Sequence, residues 1–258
     1  MWKASIKDSQ GLAVMVEGGK KLAAIKQKLR DEVRQGVKAS DIETLAVKLI
    51  DKAGGKPSFM MVPGYRWATC VNVNAGLVHG IPKSEVVFKK GDLVSIDLGI
   101  YYKRFHTDSS FSLGISPSPE IERFLTVGEK ALGVAIEAAK PGNKIFDISQ
   151  AIQETIERAG YSPIKALVGH GIGRNLHEEP KIPCFVGVKR EESPDIVPGM
   201  TLAIEVMYAQ GNPDVELGKD GWTISMRDAK ISALCEETVA ILRHGPLILT
   251  EGKTHGRR

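Results

Sequence analysis

Four acidic residues stand where the surrounding pattern calls for apolar ones. Asp97 lies in LVSIDLGIY, where Val94, Ile96, Leu98 and Ile100 alternate along one strand face and leave Asp97 on the other with Ser95 and Gly99. Asp108 sits between Thr107 and Ser109 in a second strand-like segment, Glu205 in TLAIEVMY, and Glu236 in ISALCEETVAIL. A carboxylate in a buried strand is costly unless it is paired or bound to a metal. Any one of these acids fits a salt bridge or an edge strand. Four acids in four strands form a different pattern, because two divalent cations would neutralise four carboxylates. Alternation alone leaves open whether Glu236 or its neighbour Glu237 faces inward.

Asp97 and Asp108 belong to one predicted hairpin. With Tyr102 and Lys103 as the turn, residue 97 faces residue 108, and two opposed carboxylates repel unless something positive lies between them. Tyr-Lys is poor turn chemistry, so a bulge or longer loop would change this register.

Six histidines are present: His79, His106, His170, His177, His244 and His255. Three occur in glycine-rich or turn-like contexts, His79 in LVHGIP, His170 in VGHGIGRN and His177 in NLHEEP. Oxygen-rich ligation with one imidazole suits Mn, Fe, Co or Zn rather than Ca or Mg. The pattern is that of a carboxylate-rich dinuclear site used to activate water. GHGIG lacks the spacing of a phosphate-binding loop. Neither a GxSxG elbow nor an HExxH helix occurs.

The elements that must position these residues come in two copies. Residues 36–57 and 142–163 align without a gap at an offset of 106, with eight of 22 positions identical. Each copy reads as one amphipathic helix, with Ile42, Leu45 and Leu49 in the first and Ile148, Ile152 and Ile156 in the second. Ser40 with Glu43, and Asp147 with Gln150, resemble capping boxes. A longer helix precedes each copy: one carries Leu22, Ile25, Leu29 and Val33, and the other starts at Ser118-Pro119 and runs to Lys140. Strands are predicted over 70–74, 93–101, 104–113, 201–208, 223–227 and 233–242. The plan is α+β, a largely antiparallel sheet covered by helices, in two related halves of roughly 1–115 and 116–258. A period this long excludes a solenoid and places a site between the halves. The polar tail 251–258 is expected to fray.

Composition narrows the class. The 258 residues are 42% hydrophobic and 26% charged, ordinary for a globular protein, and one domain over 1–258 accommodates them. The 35 basic and 31 acidic side chains leave a formal net charge of +4, too small an excess for a dedicated nucleic-acid binder. No run approaches the roughly 18 apolar residues of a transmembrane helix, and no secretory signal is read at the start. Cys70, Cys184 and Cys235 are scattered and odd in number, against a disulfide scaffold or a cysteine-rich zinc finger, so a reduced cytoplasmic setting is expected.

The runs VNAGLVHGIP, DLGIYYKRFHTD, GHGIGRNLHEEP, AIEVM and CEET, in this order, strongly resemble the type I methionine aminopeptidases. Matching motifs extend from about residue 65 to residue 240, and their number and spacing make the resemblance specific. It implies the pita-bread fold, two pseudo-symmetric halves around a dinuclear metal site. It makes Asp97, Asp108, His170, Glu205 and Glu236 the ligands of two divalent ions (Co, Mn, Fe or Zn), with Asp108 and Glu236 bridging. The Glu-x-Thr pattern selects Glu236 over Glu237. His79 and His177 would contact the scissile amide and carbonyl, and Glu205 would shuttle a proton. Tyr65, Cys70, Leu176 and Trp222 would form the methionine pocket. Three positions depart from the family's pattern: Leu176 where bacterial relatives commonly have an aromatic residue, Val78 for a cysteine, and Glu237 for a histidine.

The implied activity is a hydrolase, an aminopeptidase that removes N-terminal methionine before a small second residue. Its partners would be nascent polypeptide N-termini, with transient ribosome association, no stable nucleic acid, no membrane, and a monomeric state. The sequence leaves room for neither a zinc-binding extension nor the further N-terminal domain of the prolidases and Xaa-Pro aminopeptidases, the rival enzymes of this fold. A non-catalytic binding protein of the same fold is the other alternative, and the five intact ligand-type positions count against it.

Overall fold

A computed structural model of the chain describes residues 5–252. The chain opens with helices α1 (Ser9–Glu32) and α2 (Ala39–Lys52). Strands β1 (Lys56–Pro57), β2 (Thr69–Val73), β3 (Gly76–Val78), β4 (Leu93–Tyr102) and β5 (Phe105–Gly114) follow. The second half repeats the order with helices α3 (Pro119–Ala138) and α4 (Ile145–Arg158). It continues through β6 (Ser162–Pro163), β7 (Val168–Gly171), β8 (Glu178–Pro183), β9 (Thr201–Ala209), β10 (Val215–Leu217), β11 (Ile224–Met226), β12 (Ser232–Leu242) and β13 (Gly245–Ile248). All six predicted strands are present, with ends within one residue of expectation. β1, β3, β6, β7, β8, β10 and β13 were not predicted. The tail beyond residue 252, with His255, lies outside the described residues.

Among the described residues ten strands form one antiparallel sheet in which β1, β4, β5, β12, β9, β7 and β8 lie in that order. β2 also pairs with β4, β6 with β9, and β13 with β12. The halves therefore correspond: β1 and β2 pair in succession along one edge of β4, whose other edge pairs with β5; β6 and β7 pair in succession along one edge of β9, whose other edge pairs with β12. β5 and β12 meet at the pseudo-two-fold, joined by the pairs Glu236–Ser110 and Glu237–Ser109. β10, β11 and β3 make a small second sheet that crosses between the halves.

The helices cover one face of the large sheet. Leu22, Ile25, Leu29, Ile42 and Ile50 pack with Val94, Ile96, Leu98 and Ile100. Phe124, Ile148, Ile152 and Ile156 pack with Leu202, Ile204, Val206 and Tyr208. The alternate residues of β4 and β9 thus point to the opposite face, where Asp97 and Glu205 lie. Helix α3 starts as predicted, with Pro119 in its first turn and the Ser118 hydroxyl accepting from Ile121 N at 3.3 Å. It stops at Ala138, short of Lys140.

Two local expectations are corrected. α2 begins at Ala39, so Asp41, not Glu43, accepts from the Lys38 amide at 3.1 Å. Asp147 does the same for Lys144 at 2.7 Å, while Gln150 turns outward to Glu154. Lys38 and Lys144 are held extended by bridges to Val87 and Asp195, and tertiary pairing thereby fixes where each helix starts. Glu43 instead accepts from Ala68 N, Thr69 N and the Thr69 hydroxyl, at 2.7, 2.9 and 2.6 Å, anchoring β2.

The hairpin register is the second correction. Lys103 and Arg104 form the turn, both with positive φ, 45° and 73°. Positive φ at both central residues matches the strand twist. Asp97 therefore faces Ser110, and Asp108 faces Gly99. The displacement is two residues along β5, so the face is preserved. Asp97 and Asp108 still share a surface, as diagonal neighbours.

Candidate metal centre and substrate pocket

Direct cross-strand partners share a face. Read across the sheet, Cys70, Asp97, Ser110, Glu236 and Glu205 are successive partners on β2, β4, β5, β12 and β9. Asp108 lies one step along β5 from Ser110. His170, on β7, pairs with Ala203, one step along β9 from Glu205. Five strands thus bring Asp97, Asp108, His170, Glu205 and Glu236 to one surface. Ligand atoms of Asp108, His170 and Glu236, all buried, lie within 4.8 Å of one another. Thr238 explains part of the last motif: its hydroxyl accepts from Asp108 N at 2.8 Å and donates to Asp108 O at 2.7 Å.

Glu236 faces this cluster and Glu237 the helices. There Glu237 meets Lys26 at 2.5 Å, the Ser109 hydroxyl at 3.0 Å and the Thr250 hydroxyl. That lysine is spent on the opposite side of the sheet, and among the described residues no ammonium or guanidinium lines the cluster's cavity. Burial, followed by the neighbouring carboxylates, raises Asp97 and Glu236 well above the usual range. Burial and the charge of Asp108 push Glu205 up to about 8. Burial carries Asp108 to about 7 against the Ser109 amide. The Asp97 Oδ1 and the Ser110 hydroxyl are buried without a hydrogen-bond partner. Carboxylates crowded together, with an orphaned oxygen among them, fit divalent cations.

His170 fits the same group. Its Nδ1 lies 2.9 Å from Gly171 O. A carbonyl only accepts, so Nδ1 donates and Nε2 keeps its lone pair. Burial, then His177, lowers its pKa to about 4. Burial also lowers His177, and burial followed by His177 lowers His79, so both imidazoles are neutral near pH 7. His79 and His177 remain accessible at the cavity mouth. The His170 and His177 rings are 4.5 Å apart. His79 has φ of 56°. The next residue is held by Gly80 N donating to Asn72 Oδ1 at 3.0 Å and Val71 N donating to Gly80 O at 2.8 Å.

Every predicted site residue lines a single cavity of about 320 Å³. Tyr65, Cys70, Leu176 and Trp222 form its apolar wall. Tyr65 meets Trp222 edge-on at 5.1 Å and donates its hydroxyl to Thr69 O at 2.9 Å. Asp220 holds the Trp222 turn by accepting from Trp222 N and Thr223 N, at 3.1 and 2.9 Å. Phe59, Val62 and Met207 also line the cavity and were not singled out from the sequence. The apolar run SFMMV ahead of Tyr65 was the available signal for the first two.

Comparison with known proteins agrees with this geometry. The model of metallopeptidase family M24 matches residues 13–242. A methionine aminopeptidase of Aquifex aeolicus is 40% identical over 86% of this chain and 88% of its own. One of Clostridium perfringens is 38% identical over 95% of this chain and 98% of its own. The crystal structure of methionine aminopeptidase from Thermotoga maritima superposes with a TM-score of 0.93 at 37% identity, covering 96% of this chain and 100% of that one. The α+β architecture is thus the pita-bread fold expected from the motifs, and the chain belongs to metallopeptidase family M24, on its methionine aminopeptidase branch.

Proposed function

We propose that this metal-dependent aminopeptidase removes N-terminal methionine from nascent proteins and peptides whose second residue is small. The observation that carries the reading is the surface shared by Asp97, Asp108, His170, Glu205 and Glu236, with the Asp97 oxygen and Ser110 hydroxyl lacking protein partners. These five residues would hold two divalent ions, Asp108 and Glu236 serving both. Bound there, such ions supply Lewis acidity and a water nucleophile active near neutral pH.

The remaining steps fall to the chain's own groups. Asp97, at the edge of the cluster, faces the substrate's free α-amine. Neutral His177 donates to the carbonyl oxygen as charge develops on it. His79 contacts the scissile amide. Glu205 takes the proton of the attacking water and passes it to the leaving amine. Tyr65, Cys70, Leu176 and Trp222, together with Phe59, give the methionine side chain an apolar wall. A large second side chain would displace a histidine or shift the reacting carbonyl, and a shift of about 1 Å can cost a hundredfold in rate.

The natural substrates in this reading are polypeptide N-termini emerging during synthesis, met in the cytoplasm by a monomeric enzyme in transient contact with the ribosome. It needs neither stable nucleic acid nor a membrane. Among the described residues no helix is long and apolar enough to cross a membrane, and the three cysteines are unpaired, in keeping with a reducing compartment. The test is a panel of Met-Ala, Met-Gly, Met-Leu and Met-Lys peptides and their N-acetylated forms, given to metal-free protein reloaded separately with Mn, Fe, Co or Zn. Free methionine is expected from the first two peptides alone. Comparable rates for Met-Ala and Met-Leu, or efficient cleavage of an acetylated peptide, would refute the assignment.

A further inference from the structure

The segment ahead of α1 is tied to the loop that carries His177. Lys7 Nζ donates to Glu178 Oε2 at 2.6 Å and to Ser5 O at 3.0 Å. The two side chains are only 3% and 7% exposed although the residues are 171 apart in sequence. The other oxygen of Glu178 accepts from Asn175 N at 3.0 Å. One carboxylate thereby clamps both ends of the four-residue stretch Asn175–Glu178, with His177 inside it.

The surroundings are shaped around this contact. A Cβ on Gly173 would stand 2.3 Å from Lys7 Cε, so a side chain there would expel the lysine. Gly173 N donates to Asn175 O at 3.0 Å, and Gly173 O accepts from His106 N at 2.7 Å, which fixes the base of the loop. The lysine's own backbone is anchored by Lys7 N donating to Gly199 O at 2.8 Å. The next residue, Asp8, caps α1 by accepting from Gly11 N at 2.7 Å. The backbone at Lys7 and Asp8 is therefore held by the body of the protein, and the ammonium group is the part that reaches the loop.

We infer that Lys7, through its buried ion pair with Glu178, is a positioning residue that sets His177 against the scissile carbonyl. Among the described residues its ammonium bonds Glu178 and Ser5 only, and Lys7 does not line the cavity that holds the carboxylate cluster. The inference rests on the role given to His177 above. Removing the ammonium leaves a buried carboxylate without its partner, and such a group moves toward water. The loop would follow, and His177 with it.

The test is a double-mutant cycle on the full-length, metal-loaded enzyme with a Met-Ala peptide. Lys7→Met is expected to lower kcat by about ten- to a hundredfold, the scale of a misplacement near 1 Å, with metal content and KM little changed. In the His177→Ala background the same substitution is expected to change kcat by less than about twofold, because its effect runs through the missing imidazole. Hydrogen exchange at the Asn175 amide should be faster in metal-free Lys7→Met than in metal-free wild type. If Lys7→Met does not fold, Glu178→Gln carries the same cycle, since it keeps shape and an acceptor while removing the charge. Wild-type kcat in the single variant, an equal loss in both backgrounds, or unchanged exchange at Asn175 overturns the proposal. A full-rate His177→Ala overturns the reading of His177 itself and this inference with it, whereas a slow His177→Ala beside a full-rate Lys7→Met overturns the inference alone.

Discussion

In the first half of the sheet Pro57 pairs with Ile100, and in the second Pro163 pairs with Tyr208. Following the two registers inward from these equivalent prolines, Asp97 falls at the place of Glu205, and Ser110 at the place of Glu236. Asp108 falls at the place of Leu234, and Asn72 at the place of His170. The backbone frames match while the side chains on them match only in part. Asp97 and Glu205 keep a carboxylate at the shared place, but the counterpart of Glu236 is the hydroxyl of Ser110 and that of Asp108 is the apolar Leu234. His170 joins the acids, and its counterpart Asn72 holds Gly80 beside His79. A repeated frame fixes where side chains can meet, and in the function proposed above substitutions at equivalent places would divide the work between holding cations and orienting imidazoles.

The sharpest way to break this comparison is to make the halves alike. Glu236→Ser gives β12 the residue that β5 carries at the seam. Metal binding should fall, read by elemental analysis after dialysis, and kcat should drop on the order of a thousandfold, the upper range for losing one stabilising group in a transition state. Near-normal metal content would show that the seam carboxylate is dispensable. The division between binding and orienting is tested next by His79→Ala and His177→Ala. Each should lower kcat by about a hundredfold at unchanged metal content. Loss of metal from His177→Ala would erase the distinction drawn between that residue and His170.

Two smaller effects probe the shared frame. Ile50 and Ile156 occupy equivalent places in α2 and α4 and are both 0% exposed. Ile→Val at each should cost about 1 kcal/mol in chemical unfolding, the usual scale for one buried methyl group. A large mismatch between the two would mean that the halves pack differently. The least effect is expected at the caps. Asp147 accepts from Arg190 twice at 2.8 Å, whereas no basic side chain bonds Asp41 among the described residues. The Arg190 hydrogen bonds, with help from the Lys144 amide and against partial burial, hold Asp147 below the ordinary carboxylate range. A folded-state pKa that is depressed stabilises the fold above the unfolded pKa, near 3.9, and the contribution is lost as pH falls through the lower folded value. Asp147→Asn should therefore lower the Tm at pH 7 slightly more than Asp41→Asn does, and the difference should vanish in strongly acidic buffer. A difference that persists there would assign the effect to shape rather than charge.

Much of this was legible in the residues. The alternation of Val94, Ile96, Leu98 and Ile100 fixed the face of Asp97, because a period of two admits no other arrangement once one face is buried. The repeat at 106 announced the two halves. The hairpin register was missed because Lys103 and Arg104 adopt positive φ without the glycine or asparagine that normally marks such a turn. The caps were misplaced because the bridges of Lys38 and Lys144, not local preference, decide where α2 and α4 begin. Phe59 and Val62 went unnoticed because the apolar wall of a pocket has the same composition as a core. The contact of Lys7 with Glu178 joins segments too far apart for any local pattern to record.

The narrow seam between β5 and β12 bears on the timing of biosynthesis. The ladder between these central strands holds the pairs Glu236–Ser110 and Glu237–Ser109, the Ser109, Ser112 and Thr238 hydroxyls bond across the seam beside it, and the candidate ligands lie on both sides. Asp97 and Asp108 leave the ribosome long before Glu236 does. A chain ending before β12 lacks the strand that sits between the two halves, so it is expected to hold no metal pair and to release no methionine, which a truncated chain tested by metal analysis and peptide cleavage would show. Hydrolysis would begin only once β12 has emerged and paired with β9 and β5, and a peptidase built this way cannot act before that strand is made.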